Sequence, residues 1–190
     1  MSPELEGHGG DHAAAVARAH GVETMFTLSG AHVFPLYDAA VKGESRMRLV
    51  DVRHEQTAVF AAEATGKLER HPGLAVLTAG PGVTNGISAV TQAHFAGSPL
   101  VVLGGRAPNA RWGTGSLQEL DQPPLFRSVT KLSETARTVG EVGPTVDAAF
   151  TAAESPHRGP AFVDVPMDEL YGRVTAPRPQ AHVRPRLEPD

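Results

Sequence analysis

Apolar residues follow two alternating patterns along the chain, short continuous runs and longer Ala-rich stretches with helical spacing. The β-prone or wholly apolar runs predict strands at residues 24–28, 48–52, 74–78, 99–103 and 161–165. The stretches with helical spacing predict helices at residues 11–20, 33–42, 56–69, 81–94 and 142–153. Because strands and helices alternate, we predict an α/β fold, a three-layer sandwich with a mostly parallel central sheet and helices on both faces.

The two ends of the chain depart from this pattern. Residues 1–10 are polar and Gly-rich, and residues 176–190 contain four Pro and three Arg but little that could be buried. We therefore predict a flexible lead at residues 1–10, one domain at residues 11–173, and a Pro/Arg-rich linker or tail at residues 174–190.

Composition and charge disfavour several classes of function. The net charge of −4 over 190 residues, without a basic stripe, argues against nucleic-acid binding. The absence of cysteine excludes a disulfide framework and a cysteine nucleophile and suits a reducing compartment. No run approaches the roughly 18 apolar residues of a membrane span, and residues 1–10 do not resemble a secretion signal. We expect a cytoplasmic protein with no nucleic-acid or membrane partner.

Three segments follow predicted strands, at the sheet edge where parallel α/β proteins bind ligands. The first, DVRHEQ at 51–56, leads into an Ala-rich helix, so Glu55 would lie in a first turn that favours a carboxylate. Such an acid often serves only its helix. However, the apolar residues AVFAA at 58–62 would shield an inward-facing Glu55 from water and let it hold a proton for donation.

The second segment, TAGPGVTNG at 78–86, combines a strand end, a glycine turn and a helix start. Gly80 and Gly82 would let a ligand approach the backbone, and Pro81 would stiffen the turn. The glycines could instead serve the turn alone, or form a variant dinucleotide fingerprint in which Arg106, at the end of the next strand, meets a 2′-phosphate.

The third segment is the stretch RAPNARWGTGSLQELDQPP at 106–124. A loop of this length in a compact domain is usually functional or mobile. Gln118 and Glu119 are its best polar candidates, whereas Trp112 could simply pack the loop down.

Together these segments resemble the amino-terminal, pyrimidine-binding domain of thiamine diphosphate-dependent enzymes of the acetolactate synthase and 2-hydroxyacyl-CoA lyase group. The resemblance rests on the order and spacing of seven segments and covers roughly residues 10–173. These are FTLSGAHVFPLYDA (26–39), DVRHEQTAVFAAEATGKL (51–68), LTAGPGVTN (77–85), SPLVVLGG (98–105), GSLQELDQ (115–122), FRSVTK (126–131) and GPAFVDVP (159–166).

The resemblance implies a site and a chemistry. Glu55 matches the family's glutamate that hydrogen-bonds the aminopyrimidine ring of the cofactor. Protonation of that ring turns its exocyclic amine into a base that removes the thiazolium proton. The pyrimidine-binding positions implied by the family are Gly30, Thr78, Pro81, Gly82, Asn85 and Gln118. His54 receives no role from the resemblance, and a packing or capping function is equally compatible.

Two residues depart from the acetolactate synthase pattern. Leu28 stands where that branch commonly has tyrosine, and Leu117 stands where it has phenylalanine. Both residues resemble the 2-hydroxyacyl-CoA lyase branch. The resemblance therefore implies a thiamine diphosphate-dependent carbon–carbon lyase or transferase for a small 2-keto or 2-hydroxyacyl substrate, without choosing between cleavage and ligation.

The family's diphosphate-binding domain, with its Gly-Asp-Gly segment, has no counterpart in this sequence. The resemblance thus implies that this chain holds only the pyrimidine end of thiamine diphosphate and no metal. Mg²⁺ would belong to a partner domain or subunit, and the chain alone would be inactive. The pyrimidine-binding domains of this family pair with one another, so the resemblance also implies a homodimer. A non-catalytic dimerisation scaffold of the same fold and an NAD(P)-binding oxidoreductase domain remain alternatives.

Overall fold

The computed structural model describes residues 3–42 and 44–182, and most of its strands lie in one central sheet. The strands are β1 (Glu4–His8), β2 (Thr24–Thr27), β3 (Arg48–Asp51), β4 (Gly73–Leu77), β5 (Leu100–Arg106), β6 (Leu132–Thr135), β7 (Pro160–Pro166) and β8 (Arg173–Pro177). Six of them form a sheet with the order β3-β2-β4-β5-β7-β6, and all its neighbouring pairs are parallel. The helix-connected topology brings the carboxyl ends of these strands to one edge.

Helices cover both faces of this sheet. They are α1 (Gly9–Ala19), α2 (Phe34–Lys42), α3 (Glu55–Glu69), α4 (Pro81–Asn85), α5 (Ile87–Ala96), α6 (Pro123–Phe126), α7 (Val139–Glu154) and α8 (Met167–Tyr171), with 3₁₀ turns at Ala31–Val33 and Asn109–Arg111. None of the helices in the described part of the chain is both long and apolar enough to cross a membrane.

Successive residues of the central strands point into two different cores. In β4, Leu74 and Val76 pack with α1, α2 and α7, whereas Ala75 and Leu77 pack with α3 and α5. This alternation is the two-residue period of a strand, and both sets are apolar because both faces are covered. The predicted three-layer α/β fold is confirmed.

Two of the predicted boundaries are corrected. Residues 81–94 do not form one helix: α4 ends in a tight turn with a hydrogen bond from Gly86 N to Val83 O, and α5 begins at Ile87. A side chain at Gly86 would meet Leu77 and Val59. Part of the predicted flexible lead is also wrong. Glu4–His8 is an ordered strand, paired antiparallel with Arg173–Pro177, which crosses the predicted boundary of the tail.

Neither β1 nor β8 was predicted, because no apolar run marks either strand. Their pairing joins residues more than 160 positions apart. The division into one domain and two tails otherwise stays a prediction. Residues 1–2 and 183–190 of the predicted tails lie outside the described residues.

A buried amide connects three strand ends. Gln122, which is fully buried, accepts a hydrogen bond at Oε1 from Gly80 N at 2.7 Å. Its Nε2 donates to Gly105 O at 2.9 Å and to Asp164 Oδ2 at 2.8 Å. Gln122 therefore ties the turn after β4 to β5 and β7.

Asp164 is the charged member of this network. Burial raises the pKa of its carboxyl group, while hydrogen bonds from Thr135 and Gln122 and the nearby Arg106 guanidinium favour the ionised form. Arg106 Nη1 lies 3.1 Å from Asp164 Oδ2. Such a buried network is stable only when each member keeps its partners.

Replacing Gln122 by leucine should lower the free energy of unfolding by about 3 kcal/mol, because buried polar groups of Gly80, Gly105 and Asp164 would lose a partner. Urea denaturation measures the change. Gln92→Leu, on an exposed position of α5, is the matched control and should change the stability by less than about 0.5 kcal/mol. Equal losses in the two variants would contradict the role assigned to Gln122.

Candidate functional site

The first turn of α3 meets the helix that follows β4 at a buried carboxylate. Glu55, the first residue of α3, is only 9% exposed. Asn85, the last residue of α4, donates from Nδ2 to Glu55 Oε2 at 2.9 Å. The two residues are 30 positions apart in sequence, and their contact holds the carboxyl group in one orientation beside the glycine turn.

Two glycines surround Thr78 at the end of β4. A Cβ placed on Gly82 would lie 2.6 Å from Thr78 Cγ2 and 3.5 Å from Glu55 Oε1. A Cβ placed on Gly30 would lie 2.2 Å from Thr78 Cβ. These positions therefore admit no side chain without displacing Thr78, and the missing side chains let three segments converge beside Glu55.

The loop from the third segment folds back over the turn. Gly80 has a φ of +60°, and a Cβ on it would meet the Cβ and carbonyl oxygen of Gln118, each at 3.0 Å. Gln118 itself has a φ of +59° and is partly buried. Pro81 is the first residue of α4, where its fixed φ suits a helix start and its side chain is exposed.

The structure thus brings the residues predicted from sequence into one region at the carboxyl edge of the sheet. Glu55, Asn85, Gly82, Thr78 and Gly30 are linked by direct contacts or close approaches. The backbone of Gln118 approaches Gly80, next to Pro81.

His32 is a member of this region that the sequence analysis did not select. It is 4% exposed, and its Nδ1 lies 3.2 Å from Thr78 Oγ1. Burial lowers the pKa of His32, and a hydrogen bond to the Leu117 backbone only partly opposes this, so the ring is neutral near neutral pH. The only signal in the sequence was its position two residues after Gly30, in the segment that follows β2.

The expected apolar shield of Glu55 is only partly present. Ala58, Val59 and Ala62 are fully buried, but Phe60 is 38% exposed. Since α3 has a helical period, one face of AVFAA packs on the sheet and Phe60 points away from it. His54 has a capping role, because its Nδ1 accepts a hydrogen bond from Gln56 N at 3.2 Å.

Comparison with known proteins identifies the family. Residues 7–125 match the model of the family described as "Thiamine pyrophosphate enzyme, N-terminal TPP binding domain". The chain belongs to this family.

Similar proteins include two kinds of enzyme. The domain is 51% identical over 170 residues to the acetolactate synthase large subunit IlvG of Mycobacterium tuberculosis, an alignment that covers 90% of this chain and 31% of that protein. It is 48% identical over 164 residues to human 2-hydroxyacyl-CoA lyase 2, covering 86% of this chain and 26% of the lyase. The chain therefore spans less than a third of the length of these relatives and corresponds to their pyrimidine-binding part.

The remaining candidates of the third segment have structural partners in this TPP-binding domain. Arg106 lies between Asp164 and Asp121, with Nη1 at 3.1 and 3.2 Å from their carboxylates, and its guanidinium carbon is 3.8 Å from the centre of the Trp112 ring. Its charge is already paired, so nothing in its surroundings favours a 2′-phosphate. Glu119 accepts hydrogen bonds from the backbone of Gly113 and Ser116 and thereby shapes the loop.

The convergence at Thr78 gives a testable expectation. Gly30→Ala should destabilise the TPP-binding domain by about 1–3 kcal/mol, because its Cβ would overlap Thr78. Combining it with Thr78→Gly should restore part of the loss. Gly140→Ala is the control, because a Cβ there meets nothing within 4 Å. Thermal or urea unfolding is measured for wild type, Gly30→Ala, Thr78→Gly, their combination and the control, and simple additivity of the two changes would refute the packing argument.

Proposed function

We propose that this chain forms the pyrimidine-binding half of a thiamine diphosphate-dependent lyase or carboligase and that Glu55 is its catalytic acid. The observation that carries the proposal is the buried Glu55 carboxylate, oriented by Asn85 beside Gly82. It combines a carboxyl group, a second residue that orients it and closely packed glycine backbone beside it, and an oriented acid is the feature needed to protonate a ring nitrogen.

When bound, thiamine diphosphate supplies a thiazolium carbon that attacks carbonyl groups. The residues of the site fit its pyrimidine end. Gly30 and Gly82 let their backbone segments pack closely against Thr78, Pro81 begins the helix beside them, and Thr78, Asn85 and Gln118 carry polar groups in the same region. We assign these six residues to binding the pyrimidine.

The role of Glu55 is to move one proton. Its Oε2 is held by Asn85 Nδ2 at 2.9 Å, which leaves Oε1 as the atom on the Gly82 side. An acid fixed in this way loses little conformational freedom when it donates to a ring nitrogen. His32 contacts Thr78 through its Nδ1, and because burial lowers its pKa the ring adds no charge to the site.

The complete enzyme needs groups that this chain does not supply. We propose that a diphosphate-binding domain or subunit carries Mg²⁺, that the chain alone is inactive, and that the substrate is a small 2-keto or 2-hydroxyacyl compound. The relatives' names, acetolactate synthase and 2-hydroxyacyl-CoA lyase, support this class of substrate. We also propose a cytoplasmic location, which the cysteine-free composition favours.

We further propose a homodimer formed by the face that α3 and α5 share. These helices pack against each other and leave large apolar side chains uncovered. Phe60 is 38%, Leu68 83% and Phe95 81% exposed. An exposed apolar patch rimmed by polar residues is typical of a protein interface.

Glu55→Gln tests the catalytic assignment. The variant keeps an oxygen that can accept from Asn85 but lacks the acidic proton, so catalysis should fall about 10²- to 10⁴-fold. The chain is mixed with a separately produced diphosphate-domain protein, thiamine diphosphate and Mg²⁺. Exchange of the thiazolium proton is followed by NMR, together with turnover of a 2-keto acid and a 2-hydroxyacyl-CoA.

Glu63→Gln is the matched control for this experiment. Glu63 lies on the same helix, is 7% exposed and accepts a hydrogen bond from Ser98 Oγ at 2.6 Å, but it lies two turns away from the site. It should retain the wild-type rate. Wild-type activity in Glu55→Gln would refute the mechanism, and tight self-association without cofactor binding would favour a scaffold.

Charge substitutions test the interface. Leu68→Glu combined with Phe95→Glu should shift the chain from dimer to monomer in sedimentation velocity, because two carboxylates would be desolvated in the apolar patch. Val41→Glu, a 55% exposed position on α2 on the other face of the sheet, is the control and should leave the dimer intact. A dimer that survives the double substitution would place the interface elsewhere.

A further inference from the structure

A second group of ionisable side chains lies at the opposite edge of the sheet from Glu55. His20 follows the last residue of α1, Glu154 is the last residue of α7, and His182 lies in the segment after β8. Because α1 leads into β2 and α7 leads into β7, these helix ends lie at the amino edge of the parallel sheet. We call His20, Glu154 and His182 the histidine cluster. It shares no residue with the proposed cofactor site.

His20 is held rigidly in this cluster. Its side chain is 1% exposed, and its Nε2 lies 2.7 Å from Asp147 Oδ1. The ring also stacks on Phe150, with a centroid separation of 4.9 Å. Since a carboxylate only accepts hydrogen bonds, the contact with Asp147 places the proton of a neutral imidazole on Nε2 and leaves a lone pair on Nδ1.

That lone pair has no hydrogen-bond partner in the described part of the chain, although His20 Nδ1 is buried. Buried polar atoms almost always have a partner, so an unpartnered acceptor needs an explanation. His20 belongs to a group in which one nitrogen of each histidine and one oxygen of Glu154 all lie within 4.8 Å of one another.

We propose that the histidine cluster binds Zn²⁺ or a similar first-row divalent cation. Two imidazole nitrogens and one carboxylate oxygen are ligands that such ions accept, with water completing the coordination. Asp147 then has the position of the carboxylate that commonly orients a metal-binding histidine through its other ring nitrogen.

Binding requires the His182 ring to turn. The His182 ring stacks on His20 with centroids 4.3 Å apart, and its Nε2 lies 3.0 Å from Glu154 Oε2. Ligand atoms of a tetrahedral zinc ion lie about 3.4 Å from one another, given bonds of about 2.1 Å. His182 belongs to an irregular segment and its side chain is 25% exposed, so its ring is able to turn until its lone pair meets that of His20.

The site has a structural consequence. His182 N already donates to Ala19 O at 2.9 Å, which lays the segment after β8 along the end of α1. The His182 side chain also contacts Glu154 and stacks on His20, and a cation bound by the histidine cluster would replace these contacts by coordination bonds to the ends of both α1 and α7. The site would therefore hold the segment after β8 in place, independently of any reaction at Glu55.

Titration of the metal-free full chain with Zn²⁺ by calorimetry, at about pH 7.5 where imidazole is neutral, tests the proposal. Wild type should bind one ion. Asp147→Asn should raise the Kd about 10- to 100-fold, as expected for a residue that orients a ligand. His20→Gln and His182→Gln should each lose more, whereas His94→Gln, an exposed histidine on α5, should match wild type.

His182→Gln keeps the test decisive even if the buried His20 variant fails to fold, because His182 lies outside the helices and the central sheet. Hydrogen exchange gives a second readout, since Zn²⁺ should slow exchange of the His182 amide in wild type. The proposal is overturned if wild type binds no Zn²⁺, if His182→Gln binds it as tightly as wild type, or if the amide is unaffected.

Discussion

The geometry of the proposed cofactor site depends on the amide group of Gln122. This amide is completely buried. It forms hydrogen bonds with the backbone of Gly80 and Gly105 and with the carboxylate of Asp164, which lie at the ends of three different strands. Gly80 has a backbone conformation that only glycine adopts readily, and the hydrogen bond to its N–H fixes the turn in that form. The directions of α4 and of Asn85 at its end follow from this turn.

At the carboxyl edge of the sheet, two glycines lie beside Thr78 and an ion pair lies nearby. Gly30 and Gly82 pack closely against Thr78, while the nearby charged groups Arg106 and Asp164 neutralise each other. Glu55 differs from them because its hydrogen-bond partner is the neutral amide of Asn85. The Asn85 amide brings no charge to Glu55, whereas Arg106 places a positive charge beside Asp164.

Much of this arrangement could be predicted from local patterns. The start of α3 was placed within one residue of Glu55 because a short strand precedes a long Ala-rich run. The glycine turn was found because Gly and Pro have strong local preferences. The break at Gly86, where a side chain would meet Leu77 and Val59, was missed, and His32 was missed because only burial beside Thr78 distinguishes it from a surface histidine.

The sequence by itself determined five of the six strands of the central sheet, the parallel three-layer class and the place of Glu55 at a helix start, because residue spacing and turn preferences act over a few positions. Only the tertiary structure decided which distant residues contact one another. Asn85 reaches Glu55 across 30 positions, Gln122 reaches Gly80 across 42, and β1 pairs with β8 across nearly the whole chain. No local pattern encodes such contacts, since they arise when distant segments are packed around a common core.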